Sequence, residues 1–531
     1  MLWLDTYDEV WDFSCGYARV AKNEETYFVD PNGNRLDVQT EYVLLGDFHN
    51  GLAAFVEKYP GPNDPPEGVG WIGIHGEVVY PTEYDFPGSF DDCNFRRGIL
   101  FAHTLSGDSV VLGSDGEIVA TAPDGIDLFE ITETYNGLAP AWLSDDNGAC
   151  GLGFVDCTFN IVLPGTYRGA LGGFLEGGAL VELIPSEEYG IINVNGDMVW
   201  GPEKYRGSYW IPISYGFWNG LLAVPGENGE WGAIDTHGDL VIPYEYDTSF
   251  DFHSGYAFAI KDETLQVIDT NGTIVLPQVE CNPFLQGYYE FSFSEGLAAV
   301  CPNSRWGYID TSGKQVIPCR YLDARPFSEG LAWVQREDGV WGILKSPLAE
   351  KSTWAEDEIQ NAYLHEVVTE RTSSSFQTPL TRLQCAELMV NLTELVTGRP
   401  IFEAEADRFT DTMDWMPRKG AAAGLIEGMG DGTWFGPEEL ITREQLATML
   451  CRAVRYIEGE TGETILPASA DLTGYTDADQ VSPWAADSMA ALTAAGLLQG
   501  TSSTTLSPKD TTTVEQGILL ALRAYQAFAE P

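Results

Sequence analysis

The chain has 531 residues, with 28 Lys and Arg against 80 Asp and Glu, a formal charge of −52. That length exceeds what one ordinary core can fill, and the charge excludes binding to nucleic-acid backbones or anionic membrane surfaces, both of which need clustered Lys and Arg. With 44% hydrophobic residues, 15 Trp, 24 Tyr and 25 Phe, it is not a disordered acidic chain either, because so many aromatics require a core.

The chain opens with Asp5, Asp8 and Glu9 among its first residues and lacks the basic stretch of a signal peptide. No apolar run is long enough to cross a bilayer, so membrane insertion is not expected. The 57 Gly and 29 Pro point to many short elements joined by turns.

Residues 1–345 repeat. Trp231-Gly-Ala-Ile-Asp-Thr-His-Gly-Asp-Leu-Val-Ile-Pro243 matches Trp306-Gly-Tyr-Ile-Asp-Thr-Ser-Gly-Lys-Gln-Val-Ile-Pro318 in register. Looser copies run from Phe28, Trp71, Tyr189 and Val267. A second pattern, Tyr, then Phe six residues on, then Gly three later, recurs as Tyr7/Phe13/Gly16, Tyr42/Phe48/Gly51, Tyr246/Phe252/Gly255 and Tyr321/Phe327/Gly330. Nine such glycines, from Gly16 to Gly330, set a unit of about forty residues.

Each unit reads as a three-stranded antiparallel meander. Asp310-Thr-Ser-Gly313 and Asp269-Thr-Asn-Gly272 are its hairpin loops, since Asp bonds its own turn and Gly supplies positive φ. A lone meander cannot bury its Trp and Tyr, whereas stacked neighbours can. We expect an open, solenoid-like array, because nine units exceed the roughly four to eight blades of most propellers; a propeller-like ring is the alternative.

The Trp-Gly-x-Ile-Asp-x-x-Gly-x-x-Val-Ile-Pro copies resemble the WG (KWG) repeat family, which implies a β-repeat scaffold of bacterial origin without assigned chemistry. Tyr7 to Gly16 matches the end of one unit and the start of the next. An upstream portion with an export signal is therefore expected before residue 1.

After Lys345 the glycine rhythm stops, and residues 346–353 read as a linker containing Pro347. Beyond it, apolar residues recur at helical spacing: Leu446, Met449, Leu450, Ala453 and Val454 line one face of a helix that begins after Thr442. Thr442 and Gln445 form a capping box, repeated at Thr381/Gln384 and Thr513/Gln516. An earlier helix accompanies each, from Trp354, from Trp415 to Gly424, and from Trp484 to Gly496.

Phe409-Thr-Asp411, Trp415, Gly424-Leu425, Gly430-Asp-Gly-Thr433, Pro437 and Ile441-Thr-Arg-Glu444 resemble the S-layer homology domain. Tyr475-Thr-Asp477, Trp484, Gly496-Leu497 and Leu506-Ser-Pro508 form a further copy, and Trp354 with Leu380-Thr-Arg382 a weaker first one. The copies run over 354–397, 407–456 and 475–528. The resemblance implies an all-α pseudo-trimer whose grooves bind secondary cell-wall polysaccharide, often pyruvylated, and so an extracellular location at a bacterial cell wall or S-layer.

That resemblance implies polysaccharide-binding roles for Arg443, Glu444, Arg382, Asp411 and Trp434. A guanidinium offers a carboxylate a bidentate fork, and a cation on the first turn of a helix is unfavourable unless an anion is near. The first copy has Leu383 where the motif has Glu, and the third has Val514 where it has Arg. At most two of three grooves are then competent.

No nucleophile elbow, P-loop or metal-ligand spacing accompanies these motifs, and the Asp-x-x-Gly turns lack the ligand series of a calcium loop. Neither cofactor nor metal is expected. The residues point to a non-catalytic surface protein with an unknown ligand for its array. The alternative is a wall- or glycan-acting hydrolase built across the array, since 80 acids offer many carboxylate pairs at distances the sequence does not state.

Overall fold

The computed structural model describes residues 1–57, 68–85, 93–129, 137–144, 150–170, 174–185, 188–204, 217–226, 229–279, 292–302, 304–399, 401, 408–412 and 414–529. Residue 407, where the second helical copy is expected to begin, lies outside them. The chain divides into two compact units, Met1–Ser346 and Pro347–Pro531.

The first unit is all-β and antiparallel, arranged as seven separate sheets among the described residues. The expected three-stranded meander stands alone as a sheet at residues 9–29, 221–246 and 256–276, and other copies add a fourth strand. In one such copy the strands are Phe293–Ser294, Leu297–Val300, Trp306–Asp310 and Gln315–Tyr321, paired in that order. The extra strand is short and comes from the Tyr-to-Phe segment. Between the last two strands, Asp310 accepts the N–H groups of Ser312 and Lys314, both at 3.0 Å, closing the expected hairpin.

The glycine after Trp is explained by space. A Cβ on Gly307 would stand 2.5 Å from the carbonyl oxygen of Ile317 on the fourth strand, and Gly232 meets Ile242 in the same way. The Trp side chain joins neighbours: Trp71 is fully buried, donates from Nε1 to the Cys93 carbonyl at 3.0 Å, and lies edge-on to Phe95 of the following unit.

The ends of the array meet, so the propeller-like alternative describes it and the open row does not. The last copy contains Asp323–Ala324, Leu331–Gln335 and Trp341–Lys345, and its fourth strand is Leu2–Trp3 from the other end of the chain. Leu2 pairs with Ile343 and Trp3 with Gly342. Trp333 stacks on Phe13, with ring centroids 5.6 Å apart, and donates to the Trp11 carbonyl at 2.9 Å. One buried cluster holds Val10, Phe13 and Val20 together with Trp333, Trp341 and Ile343.

A chain of turns runs between the units. Among the described residues, the one before a recurring glycine takes positive φ, from Cys15 at 54° to Glu329 at 55°, and the glycine follows at positive φ as well. Two such residues in succession make the hairpin turn that suits twisted strands. The leading side chain then accepts the glycine N–H of the next unit: Asn50 from Gly98, Glu176 from Gly220, Asn219 from Gly255 and Glu295 from Gly330. Glu329 completes the series on Gly16 at 2.8 Å.

The second unit holds six helices among the described residues: α1 (Glu356–Leu364), α2 (Arg382–Thr397), α3 (Trp415–Ala422), α4 (Arg443–Thr461), α5 (Ala486–Ala494) and α6 (Val514–Ala529). Thr381 and Thr442 cap α2 and α4 through complete capping boxes, and Thr513 exchanges the same bonds with Gln516 at 3.3 and 3.4 Å. The later helix of each copy packs on the earlier helix of the next: α2 on α3, α4 on α5 and α6 on α1. Short bridges, Thr381 to Leu440, Thr442 to Thr511 and Thr513 to Pro379, repeat that cyclic order. All six helices share one apolar core.

Candidate functional site

Two of the capped helices begin against the turn-rich loop of the following copy. Arg443 is the first residue of α4, and its backbone N–H donates to the Asp510 carbonyl at 2.9 Å. Its guanidinium donates from Nε to the Leu506 carbonyl at 2.9 Å and from Nη2 to the Gln499 carbonyl at 2.8 Å. Arg382 starts α2 in the same way, donating to the carbonyls of Phe435 at 2.8 Å and Glu427 at 3.2 Å. The two side chains, predicted independently from their motifs, adopt one geometry.

That geometry leaves a charge unanswered. Arg443 is only 8% exposed and Arg382 only 6%, yet among the described residues neither contacts a carboxylate. Burial pushes both guanidiniums below the usual arginine range, opposed by Asp510 for Arg443 and, for Arg382, by Cys385, Asp411 and Glu439 at longer range. Two other buried cations of this unit are paired: Arg371 lies 2.7 Å from both Glu387 and Asp414, and Lys419 sits on Glu394. Two N–H groups of each guanidinium are spent on carbonyls, so the Nη1 side keeps its donors for something else.

Glu444 is placed differently. It is 3% exposed, and its carboxylate accepts the N–H and hydroxyl of Ser482, both at 2.9 Å, and the Lys509 ammonium. Its oxygens join the second copy to the third. Glu515 repeats the lock on Ser352 at 3.0 and 2.7 Å, joining the third copy to the first. In the first copy the matching residue is Leu383, and Met413, which matches the serines, lies outside the described residues. The sequence carried this signal, since Ser two residues before Trp accompanies Glu in the helix motif of the preceding copy. Reading each copy alone concealed it.

Asp411 holds the loop beside Arg382. Its oxygens accept the N–H groups of Phe435 at 2.7 Å and Gly436 at 2.6 Å, which fixes the loop whose Phe435 carbonyl receives Arg382. Asp477 does the same for Leu506 and Ser507 beside Arg443. Trp434 stands next to Phe435 and is 44% exposed. Thr505 holds its place beside Arg443, in a hydroxyl network with Thr501 and Ser502. Val514 brings no donor to the third groove.

No metal-binding group of His, Cys, Asp and Glu occurs among the described residues, and none of the described helices is long and apolar enough to cross a membrane. Comparison with known proteins matches the WG containing repeat at residues 6–25, 231–264 and 306–341, and the S-layer homology domain at 418–447 and 474–513. The chain is 30% identical over 171 residues to an endoglucanase of Bacillus sp. (strain KSM-635), a stretch that is 32% of this chain and 17% of that one. It is 27% identical over 176 residues to the exoglucanase XynX of Acetivibrio thermocellus, covering 32% and 15%. It thus spans about a sixth of the length of these relatives. Among solved structures, one described as the eukaryotic initiation factor overlaps at 13% identity and a TM-score of 0.38, covering 59% of this chain and 87% of that one. BamB from Moraxella catarrhalis overlaps at 10% identity and 0.28, covering 57% and 96%. Overlaps this slight carry no weight for the fold, which stands on the strand pairing itself.

Proposed function

We propose that this chain, which carries WG-containing repeats and S-layer homology domains, is a non-catalytic bacterial cell-surface protein. Residues 347–531 anchor it to wall polysaccharide through anionic groups that dock on Arg382 and Arg443, and the β array is a platform for display. The observation that carries this reading is the pair of buried guanidiniums that donate to backbone carbonyls and, among the described residues, form no ion pair. An uncompensated buried charge is costly, and a carboxylate at the Nη1 side would relieve it. A pyruvyl ketal on the glycan supplies such a carboxylate in a form a planar fork recognises. Trp434 offers a sugar ring an apolar face in one groove.

The test is retention of the full chain on purified wall polysaccharide, with pyruvyl groups intact or removed by mild acid. Arg382→Lys and Arg443→Lys should each weaken retention and the double variant should abolish it, while thermal unfolding confirms the fold. Equal retention by the double variant, or on the depyruvylated polymer, defeats the proposal.

A second reading, a glycan hydrolase, draws on the names of the two glucanase relatives. Release of reducing ends from β-glucan by the purified chain would favour it.

A further inference from the structure

We propose that the outer rim of the β array binds a cationic polypeptide segment bearing aliphatic side chains. This deepens the display reading above, and its test does not involve retention on the wall.

The residue that opens the last strand of a repeat lies opposite a core residue of the strand before it in one fixed register: Val78 opposite Ile72, Ile118 opposite Leu112, Ile161 opposite Val155, Met198 opposite Ile192, Leu240 opposite Ile234 and Ile274 opposite Ile268. All six are aliphatic and between 39 and 55% exposed. Scattered exposed aliphatics are ordinary on a protein surface, but one register position kept apolar and open through six consecutive units is a contiguous feature.

Successive positions adjoin. Several hairpin glycines pack against the last strand of the unit before, so that a Cβ on Gly116 would lie 3.3 Å from Val79, on Gly196 3.2 Å from Leu163 and on Gly272 3.4 Å from Ile242.

Charge selects the occupant. Residues 101–300 hold 29 Asp and Glu against 4 Lys and Arg, whereas residues 301–346 hold 5 against 6. In that balanced stretch the rim position is polar, Gln315 opposite Ile309. Five of the six exposed aliphatic positions, all but Val78, fall in the acidic stretch. Within it, the exposed carboxylates Glu117, Asp197 and Asp239 immediately precede Ile118, Met198 and Leu240. A second copy of this acidic chain would be repelled there, and a purely apolar partner would strand the acids. A segment alternating Lys or Arg with aliphatic residues satisfies both.

The experiment titrates the full chain with fluorescent peptides of alternating Lys and Leu, alternating Lys and Ser, or alternating Glu and Leu. The Lys/Leu peptide should bind about tenfold more tightly than either of the others, in keeping with burial of a few aliphatic side chains. Replacement of Ile118→Ser, Ile161→Ser and Leu240→Ser together should weaken it by a similar factor, with an unchanged circular dichroism spectrum, whereas Leu322→Ser, exposed but off this register, should leave it unchanged. Equal binding of the Lys/Leu and Lys/Ser peptides, equal binding by the triple variant, or no binding overturns the proposal. So does sedimentation evidence of self-association that the triple variant abolishes.

Discussion

The carboxylate of Glu329 receives the backbone N–H of Gly16 at 2.8 Å, across 313 residues of chain, and with its other oxygen receives that of Cys15 at 2.6 Å. The same kind of bond links Glu295 to Gly330 and Asn219 to Gly255 between sequence neighbours. The first and last units are thus neighbours on equal terms with the rest, and the strand Leu2–Trp3 completes the last sheet beside them.

Glu329→Ala should destabilise the array by about 2–3 kcal/mol, because it removes a charged acceptor from two backbone donors. Asn219→Ala, which removes a neutral acceptor from one donor, should cost about 1 kcal/mol. Thermal unfolding followed by near-ultraviolet circular dichroism reads both, and an unshifted Glu329→Ala transition would contradict the closure described here.

Asp12 makes the array sensitive to pH. Burial raises its carboxyl to about 6, with Arg325 opposing the shift and Asp47 adding to it; Asp47 is itself paired with Arg19 at 2.9 Å. Because the folded value lies above the unfolded one near 3.8, the protonated form favours folding. That contribution is complete below about 3.8 and is lost as pH rises through about 6. Asp12→Asn should therefore raise the melting temperature at pH 7.5, with the gain vanishing towards pH 4. A constant difference across that range would refute the assignment.

Gly307→Ala should cost about 1–3 kcal/mol, since its Cβ would meet the Ile317 carbonyl at 2.5 Å and the Cys319 nitrogen at 2.6 Å with no flexible side chain to yield. Gly339→Ala meets nothing within 4 Å, and only its φ of +81° opposes the change, at about 1–2 kcal/mol. Combining Gly307→Ala with a shortened residue at 317 should leave the penalty in place, because the obstacle is backbone. Chemical denaturation of the single and double variants decides it.

Glu444→Ala should destabilise the helical unit by about 3 kcal/mol, comparable to breaking a buried ion pair from one side. Arg443→Lys should instead affect polysaccharide retention more than stability. If Glu444→Ala keeps the wild-type melting temperature yet fails to bind, Glu444 touches the glycan and the lock on Ser482 is incidental.

Local periodicity carried much of this protein into its sequence. The hairpin at Asp310, the capping boxes at Thr381, Thr442 and Thr513, and the count of repeats all depend on contacts within a few residues, where spacing and residue type are sufficient. Arg382 and Arg443 were singled out by the resemblance of their helix-start motifs to the S-layer homology domain. Which copy touches which was not legible. The lock of Glu444 on Ser482, the support of Asp411 for Phe435, and the carbonyls that hold each guanidinium are bonds between segments tens of residues apart, and no periodicity encodes them.

Array closure is the limiting case. Nine similar units can extend or curve back on the same local chemistry, and the choice rests on a small rotation per unit accumulated over the whole array. Sequence alone determined that the units exist and how each folds. Only the tertiary structure decided that Trp3 would reach Gly342 and Glu329 would reach Gly16, because those contacts form after all the intervening units have stacked.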